Sequence, residues 1–299
     1  MKSQIIMCAL SCVVLTQGSY GVQYRVKEYD DRGPICIKFK QINKFTKEEE
    51  KLELRSLRED DENKLVEIRR KPEVYGQYAD RTCPTEEETK NVLHTKLLPR
   101  VSGDDSLFPF VLRKIIKTSG GNPSKSYKVL GLLNIGAGFK PEDRQYGYYI
   151  DPGRKLTEEE IKTQGRLQGH SHYENWGRGI GGAAVKVSTH FVMLFHENGP
   201  KTITLQPKKS TNSMLIPIQK KRFSGVLSST VYPDNTRSII TLSKAGLRKL
   251  SYEEVEARGF SKDVKSIIKI DESTKEIVKD YYELTWEEFK KNEENGLYQ

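Results

Sequence analysis

Cysteine, tryptophan and long apolar runs are scarce in this chain. Its 299 residues include 4 cysteines and 2 tryptophans. No Cys-x-x-Cys pair occurs, which excludes a zinc site built on paired cysteines. No apolar run reaches the roughly 20 residues that a membrane-spanning helix needs. The sequence therefore predicts no membrane span and no cysteine-based metal centre.

The N-terminus is typical of a secretory signal peptide. Lys2 supplies a charged start, residues 5–15 an apolar core and residues 19–21 a small-residue exit. We expect residues 1–21 to be removed and the protein to be secreted. Removal would leave Cys36 and Cys83, and two cysteines in an exported chain usually form one disulfide.

The charge of the chain is modestly basic. Lys and Arg number 50 against 41 Asp and Glu, for a net charge of +9. Basic spots at residues 208–209 and 220–222 alternate with acidic runs such as residues 48–50. This pattern favours a solvated surface over a nucleic-acid groove.

Helix starts recur along the sequence, each a Ser or Thr followed by glutamates. The hydroxyl can accept from a free backbone N–H while Glu complements the positive helix end. These starts are at Thr46, Thr85, Thr157, Ser251 and Thr285. We interpret them as caps of separate helices and not as a repeat.

Strand-like runs rich in Val, Ile and Thr are concentrated in the second half of the chain. They cover residues 126–134, 185–195, 202–206, 214–218, 223–231, 237–242 and 264–270. Short turns between them favour antiparallel pairing. We predict an α+β fold, with a helical N-terminal part followed by a mostly antiparallel β-sheet. Helices from residues 273–294 should dock on that sheet. The expected regions are the signal peptide 1–21, a charged, helix-rich region 22–140 and an α+β region 141–299.

Four of the five histidines lie between His170 and His196, in and after a glycine-rich segment that also holds Tyr173 and Trp176. This composition is typical of a loop that leads into a binding cleft. His170 and His172 with a later histidine would suit zinc, but no Glu or Asp stands at a metal-site spacing, so we predict no metal.

Several short motifs follow one another in an order that resembles the A chain of the heat-labile enterotoxin class of mono-ADP-ribosyltransferases. They are Tyr149-Ile150-Asp151, Glu160-Ile161-Lys162, the Gly169–Gly179 stretch, Val187-Ser188-Thr189 and Glu254-Val255-Glu256-Ala257-x-Gly259. The resemblance covers about 110 residues. It implies an ADP-ribosyltransferase-like fold that takes NAD as substrate and modifies a protein target. The implied role is that of a secreted toxin or effector, with a host protein as one candidate target.

The same resemblance implies roles for individual residues. Glu254 would stabilise the positive charge that develops on ribose, with Glu256 orienting the acceptor. Ser188 and Thr189 would hold the Glu254 carboxylate. Tyr149 stands where the family has its NAD-binding arginine, so Arg154 would take over that contact. His170, Tyr173 and Trp176 would complete the NAD site, with Tyr173 or Trp176 stacking on nicotinamide.

Two other functions fit the same residues. A non-catalytic secreted interaction or virulence protein would use the His/Gly stretch as a structured loop. A secreted nuclease would use His170 or His172 as acid or base and Lys186 on phosphate.

Overall fold

The computed structural model describes residues 24–28, 35–76, 82–101, 108–116, 126–140, 142–166, 172–205, 214–217, 223–260, 270–271, 276–277 and 279–298. Within these residues the chain forms one eleven-stranded sheet and a separate two-stranded ribbon. The strands are β1 Tyr24–Glu28, β2 Cys36–Ile42, β3 Glu49–Ser56, β4 Phe108–Ile116, β5 Ser126–Ala137, β6 Arg144–Ile150, β7 Thr202–Leu205, β8 Met214–Pro217, β9 Leu227–Val231, β10 Arg248–Lys249, β11 Ile270–Asp271, β12 Glu276–Ile277 and β13 Asp280–Leu284.

Helices connect the strands and cover them. The helices of the described residues are α1 Glu62–Arg69, α2 Pro72–Tyr75, α3 Glu86–Val92, α4 Leu98–Val101, α5 Glu158–Thr163, α6 Ile180–Met193, α7 Thr236–Lys244, α8 Tyr252–Ala257 and α9 Trp286–Glu294. A π-helical turn, Leu93–Leu97, joins α3 to α4. No helix in this part of the chain is both long and apolar enough to span a bilayer.

The main sheet is mixed, in the order β10-β13-β9-β6-β5-β4-β3-β2-β1-β7-β8. Its neighbouring strands pair antiparallel except for β1 with β7 and β6 with β9, which are parallel. The predicted fold class, a helical N-terminal part before an antiparallel sheet, is therefore wrong. In β2 and β3, charged residues alternate with Ile37, Phe39, Leu52 and Leu54, and this two-residue period is that of a strand. The sheet also joins strands from both sides of residue 140.

The run at residues 185–195, expected to be a strand, lies mostly in α6. Ten of the fourteen residues of α6 are buried, so its sequence is apolar on almost every side. Periodicity cannot separate such a helix from a buried strand. Residues 237–242 were likewise expected to be a strand and lie in α7, which Asn235 caps by accepting from the Ser238 N–H at 3.2 Å.

Other local predictions are confirmed. Capping boxes start α3 at Thr85, α5 at Thr157, α8 at Ser251 and α9 at Thr285. Thr46 does not cap a helix, because residues 44–46 form a turn before β3. The strand-like runs at 126–134, 202–206, 214–218 and 223–231 contain β5, β7, β8 and β9. Of the run 264–270, all but Ile270 lies outside the described residues. Of the helices expected over residues 273–294, the described residues form α9, and β13 occupies the middle of this range.

The core lies on both faces of the sheet. On one face α6, α7 and α9 bury Phe191, Leu242 and Phe289 against strand residues such as Phe110. On the other face α1 to α4 and the π-turn pack on Val111, Leu132 and Tyr149. The fold is thus three layers with the sheet in the middle.

The two cysteines that remain after residue 21 do not form the expected disulfide. Cys36 is buried on β2, whereas Cys83 is exposed just before α3, with its sulfur 3.9 Å from the Arg70 carbonyl oxygen. The prediction rested on an even count in an exported chain, and a count contains no information on distance. The expected signal peptide lies outside the described residues.

Candidate functional site

The parallel strands β6 and β9 separate after a very short pairing. Along their described lengths they pair only at Arg144 with Leu227 and at Gln145 with Ser228. Beyond this point the Ser229 hydroxyl still reaches the Tyr146 carbonyl at 3.4 Å. The Arg144 N–H bonds to the Val226 carbonyl, and backbone groups alternate along a strand, so the N–H and C=O of Tyr148 also point toward β9. They face an opening instead of a neighbouring strand.

This opening is a cleft of about 730 Å³. Its walls come from β6, β9, the start of α6, α7 and the α2 region. Tyr146 and Ile180, which line it, belong to the core under α6, whereas Val74 and Tyr149, which also line it, belong to the core of the opposite face. The cleft therefore passes between the strands and reaches both faces of the sheet. Ligands commonly bind at the carboxyl ends of parallel strands that lead into helices.

One wall of the cleft is the glycine-rich start of α6. Gly179 precedes the helix with φ of +96°, and a Cβ there would lie 3.0 Å from Gln41 Oε1. Gly181 and Gly182 follow in the first turn, which contains no acidic residue. The free N–H groups and positive end of a helix favour an anion. Small side chains let a ligand approach this backbone closely.

Two lysines face each other beside that helix start. Lys44 and Lys244 both line the cleft. The pKa of Lys44 is lowered, first by desolvation and then by the neighbouring Lys244. Like charges held close together disfavour the protonated form until an anion sits between them. The α6 end of the cleft is therefore suited to a phosphate or a similar group.

The far end of the cleft is aromatic and carries a carboxylate. Trp176 donates from Nε1 to the Ile150 carbonyl at 3.0 Å, and the Arg237 guanidinium lies 4.4 Å from its ring centre. Tyr173 packs edge-on at 5.2 Å from Trp176 and donates from its hydroxyl to Glu73 at 2.7 Å. Glu73 is the one carboxylate among the described residues that line the cleft. This end is suited to a cation.

Tyr148 lies between the two ends. Its hydroxyl oxygen is buried and makes no hydrogen bond of normal geometry, although Ser238 and Thr241 of α7 stand close enough to favour its ionised form slightly. Burial dominates and raises the pKa of Tyr148. The side chain is therefore a protonated hydroxyl at neutral pH, and the residue is one of those that line the cleft.

Among the predicted cofactor-binding residues, Trp176 lines this cleft and Tyr173 supports it from behind. His170 lies outside the described residues. Arg154 is exposed and paired with Glu160, with Nη1 2.8 Å from Oε2. The histidines do not gather into one site: His190 accepts or donates at 2.5 Å to Tyr24, and His196 stacks on Trp286 at 4.4 Å.

Ser188 and Thr189 cannot hold a catalytic glutamate. Both are fully buried in α6, and the Tyr146 hydroxyl bonds to them at 3.1 and 2.8 Å. Ser188 also donates to the Val185 carbonyl at 2.9 Å. Their hydroxyls serve to satisfy a buried tyrosine between sheet and helix.

Glu254 and Glu256 lie on α8, a short helix away from the cleft walls. Glu254 is exposed, caps the helix through the Ser251 N–H at 2.8 Å and pairs with Arg248 at 2.7 Å. These contacts lower the pKa of Glu254 and explain the residue as a helix cap. The two glutamates do not line the cleft.

The resemblance to ADP-ribosyltransferases is therefore wrong, and the NAD, toxin and host-target expectations fall with it. Its Ser-Thr strand is a buried helix, and its glutamate is a surface cap. Sequence reasoning missed Lys44, Tyr148 and Lys244, which are far apart in the chain. The glycines before α6 were a usable signal, because a glycine-rich loop followed by a helix suits a phosphate.

Among known proteins, the chain shows similarity to solved structures. No family model matches the chain, and no curated protein matches it. Solved structures align with it over most of its length. An aminoglycoside acetyltransferase, AAC(6')-Ib, in complex with coenzyme A and kanamycin is 13% identical, with a TM-score of 0.43, covering 80% of this chain and 98% of that one.

Two further structures align in the same way. Spermidine N-acetyltransferase from Vibrio cholerae, with coenzyme A and spermine, is 10% identical, with a TM-score of 0.43 over 80% of this chain and 97% of that one. An uncharacterized protein from Bacillus halodurans is 12% identical, with a TM-score of 0.47 over 90% of this chain and 98% of that one. The two named enzymes are acetyltransferases, each in complex with coenzyme A. Likenesses at this level are similarities and assign the chain to no family.

Proposed function

We propose that this protein is an acyltransferase that binds an acyl-coenzyme A in the cleft between β6 and β9 and acylates an amine. The observation that carries the proposal is the separation of two parallel strands into an opening through the sheet, with an anion-binding end and a cation-binding end on its two sides. Such a passage lets two substrates meet from opposite faces.

The phosphates and amides of coenzyme A complement the groups at the α6 wall of the cleft. Its phosphates would lie at the first turn of α6 between Lys44 and Lys244. Its long arm carries amides, which can pair with the cleft-facing backbone N–H and C=O of Tyr148 as an added strand would. A shorter anion such as free phosphate would use the helix end but leave the strand groups and the aromatic end without a ligand.

The thioester of the bound cofactor would supply an activated acyl group. Backbone N–H groups of β6 that face the cleft are placed to polarise its carbonyl. A bound ammonium first gives up one proton, with Glu73 as the candidate acceptor. The neutral amine nitrogen then forms the new C–N bond as the C–S bond breaks, and this nitrogen loses a second proton while the leaving coenzyme A thiolate gains one. Tyr148, which lines the cleft and carries a protonated hydroxyl at neutral pH, is the candidate donor of that proton and regains one from the amine nitrogen.

Glu73 is the candidate residue for holding the amine. Its carboxylate is held by Tyr173 at 2.7 Å and stands on the face of the sheet opposite α6. A protonated amine would pair with this carboxylate. This arrangement accounts for one carboxylate in a cleft whose other charged lining residues, Lys44, Arg237, Lys244 and Lys279, are basic.

Calorimetry and a thiol-release assay test the proposal. We expect acetyl-coenzyme A to bind and NAD not to bind, and thiol release to require an amine. Tyr148→Phe should reduce turnover at least tenfold with little change in the Kd for acetyl-coenzyme A. Tyr127→Phe, on the exposed part of β5, is the matched control. Failure of the unmodified protein to bind acetyl-coenzyme A would overturn the proposal.

A further inference from the structure

We infer that Glu50, a buried residue of β3 outside the cleft, is a positioning residue that holds the glycine-rich start of α6 in its anion-binding geometry. The inference builds on the proposed function, since it concerns the wall assigned to the cofactor phosphates. Glu50 does not line the cleft, so any effect it has on the cofactor must act through other residues.

Glu50 is tied to the segment before α6 by its side chain. The residue is 4% exposed. Its Oε1 accepts from the Arg178 guanidinium and from Lys114 Nζ at 2.8 Å, and its Oε2 accepts from the Gln41 amide at 2.5 Å. Arg178 directly precedes Gly179, the residue that turns the chain into α6.

The backbone of the same segment is tied to the same hairpin. The Lys44 N–H donates to the Arg178 carbonyl at 3.3 Å, and the Gln41 amide oxygen lies 3.0 Å from where a Cβ of Gly179 would be. Arg178 also donates to the Glu174 carbonyl at 3.3 Å. The turn between β2 and β3, which supplies Lys44, thus also fixes the loop that supplies the helix N–H groups.

This arrangement assigns Arg178 an indirect role. An arginine beside a phosphate site would ordinarily be expected to contact the phosphate. Here its guanidinium is turned back to a buried carboxylate, which holds it by a charge-assisted bond. Arg178 is therefore a tether of the loop, and the phosphate contacts fall to the helix N–H groups and the two lysines.

Glu53 provides a matched control on the same strand. It is 2% exposed and pairs with Arg113 and with Lys38 at 3.3 Å. Loss of either carboxylate removes a buried partner from two partly buried cations and should destabilise the fold. Only Glu50 touches the α6 loop. Comparing Glu50→Gln with Glu53→Gln therefore separates positioning from stability.

The first experiment uses the full chain without ligand. Hydrogen exchange at the amides of Lys44 and Ala183, which donate to the Arg178 and Gly179 carbonyls, should be at least fivefold faster in Glu50→Gln than in the unmodified protein, and unchanged in Glu53→Gln. Equal exchange in the two variants would overturn the inference whether or not coenzyme A binds. Arg178→Lys, which retains the charge but shortens the tether, is a milder variant if Glu50→Gln does not fold.

The second experiment measures binding and kinetics. Glu50→Gln should raise the Kd for coenzyme A about tenfold or more while changing the KM for the amine less than twofold, and Glu50→Asp should restore part of the affinity. Glu53→Gln should leave that Kd within twofold. If the unmodified protein binds coenzyme A and the two variants lose affinity equally, the positioning role is wrong and the proposed function stands.

Discussion

The two edges of β6 are paired in opposite ways. On one edge, β5 pairs with all seven residues of β6, and the strands beyond continue with nine pairs between β4 and β5 and seven between β2 and β3. On the other side of β6, two pairs join it to β9 before the strands part. Buried backbone N–H and C=O groups need hydrogen-bond partners. Where the sheet does not pair these groups, a ligand can do so.

Charge follows the same division. In the continuously paired part, buried carboxylates are matched by cations, as Glu53 is by Arg113 and Lys38. Beside the cleft, Lys44 and Lys244 face each other, and the pKa of Lys44 is lowered first by desolvation and then by Lys244. The first arrangement stabilises the fold, whereas the second costs stability until an anion binds. The proposed cofactor site is therefore the place where the sheet is interrupted.

The largest expected effect is on the free energy of unfolding, when a core side chain is removed instead of one at the rim of the cleft. Phe191→Ala removes a fully buried ring that packs on Phe108, Phe110 and Phe195, and should lower the free energy of unfolding by about 3–5 kcal/mol. Ile240→Ala, at the exposed rim of the cleft, should cost under about 1 kcal/mol. Urea unfolding measures both. Similar losses would mean that the cleft rim is part of the core.

A second substitution, Gly182→Leu, should weaken cofactor binding without lowering the stability of the protein. Gly182 lines the cleft, and a Cβ there meets nothing within 4 Å. Because leucine favours a helix over glycine by about 0.8 kcal/mol, Gly182→Leu should not destabilise the protein. Its side chain would fill the phosphate end and reduce acetyl-coenzyme A affinity at least tenfold. Thermal unfolding and calorimetry check the two effects, and unchanged affinity would remove α6 from the site.

The lysine pair should give a smaller effect. Lys244→Gln relieves the repulsion on Lys44, so the pKa of Lys44 should rise toward its ordinary value. We expect acetyl-coenzyme A affinity to fall about three- to tenfold and its salt dependence to weaken, with no loss of stability. Lys51→Gln, on the exposed face of paired β3, is the control. Equal losses in both variants would point to a general charge effect.

The substitution with the smallest effect on stability at neutral pH replaces a buried tyrosine, Tyr149. Burial raises the pKa of Tyr149 above its ordinary value of 10. Because this pKa is higher in the folded than in the unfolded protein, the stability that the neutral Tyr149 hydroxyl contributes is complete below pH 10. It is lost as the pH rises from there toward the pKa of the folded protein. Tyr149→Phe should therefore flatten the fall in stability between pH 10 and 11 relative to the unmodified protein. Urea midpoints across this range measure the effect, and parallel curves for the two proteins would contradict it.

The sequence predicted what depends on neighbouring residues. Thr85, Thr157, Ser251 and Thr285 start helices because a cap needs only a hydroxyl and a glutamate three residues on. β5 and β7 were predicted because strand composition and bounding turns are local. The helix α6 was missed because it is buried on nearly all sides, and its apolar run has no helical stripe.

The site was predicted only where it is contiguous in sequence. Trp176 and the glycines that follow it were found as a binding loop. Lys44, Tyr148 and Lys244 were not, since the pairing of the sheet and the packing of α7 bring them together. The motif resemblance failed for the same reason: short matches carried no information on burial, and Ser188 proved to be enclosed. Export, expected from residues 1–21, stays a prediction.

The central claim is that the opening between β6 and β9 holds an acyl-coenzyme A along both the strand and the helix start. Residue-resolved hydrogen exchange with and without acetyl-coenzyme A tests it most directly. We predict slower exchange at the amides of Tyr148, Gly181 and Gly182, with NAD causing none. Binding that protects other amides and leaves these three unchanged, or no binding at all, would contradict the account.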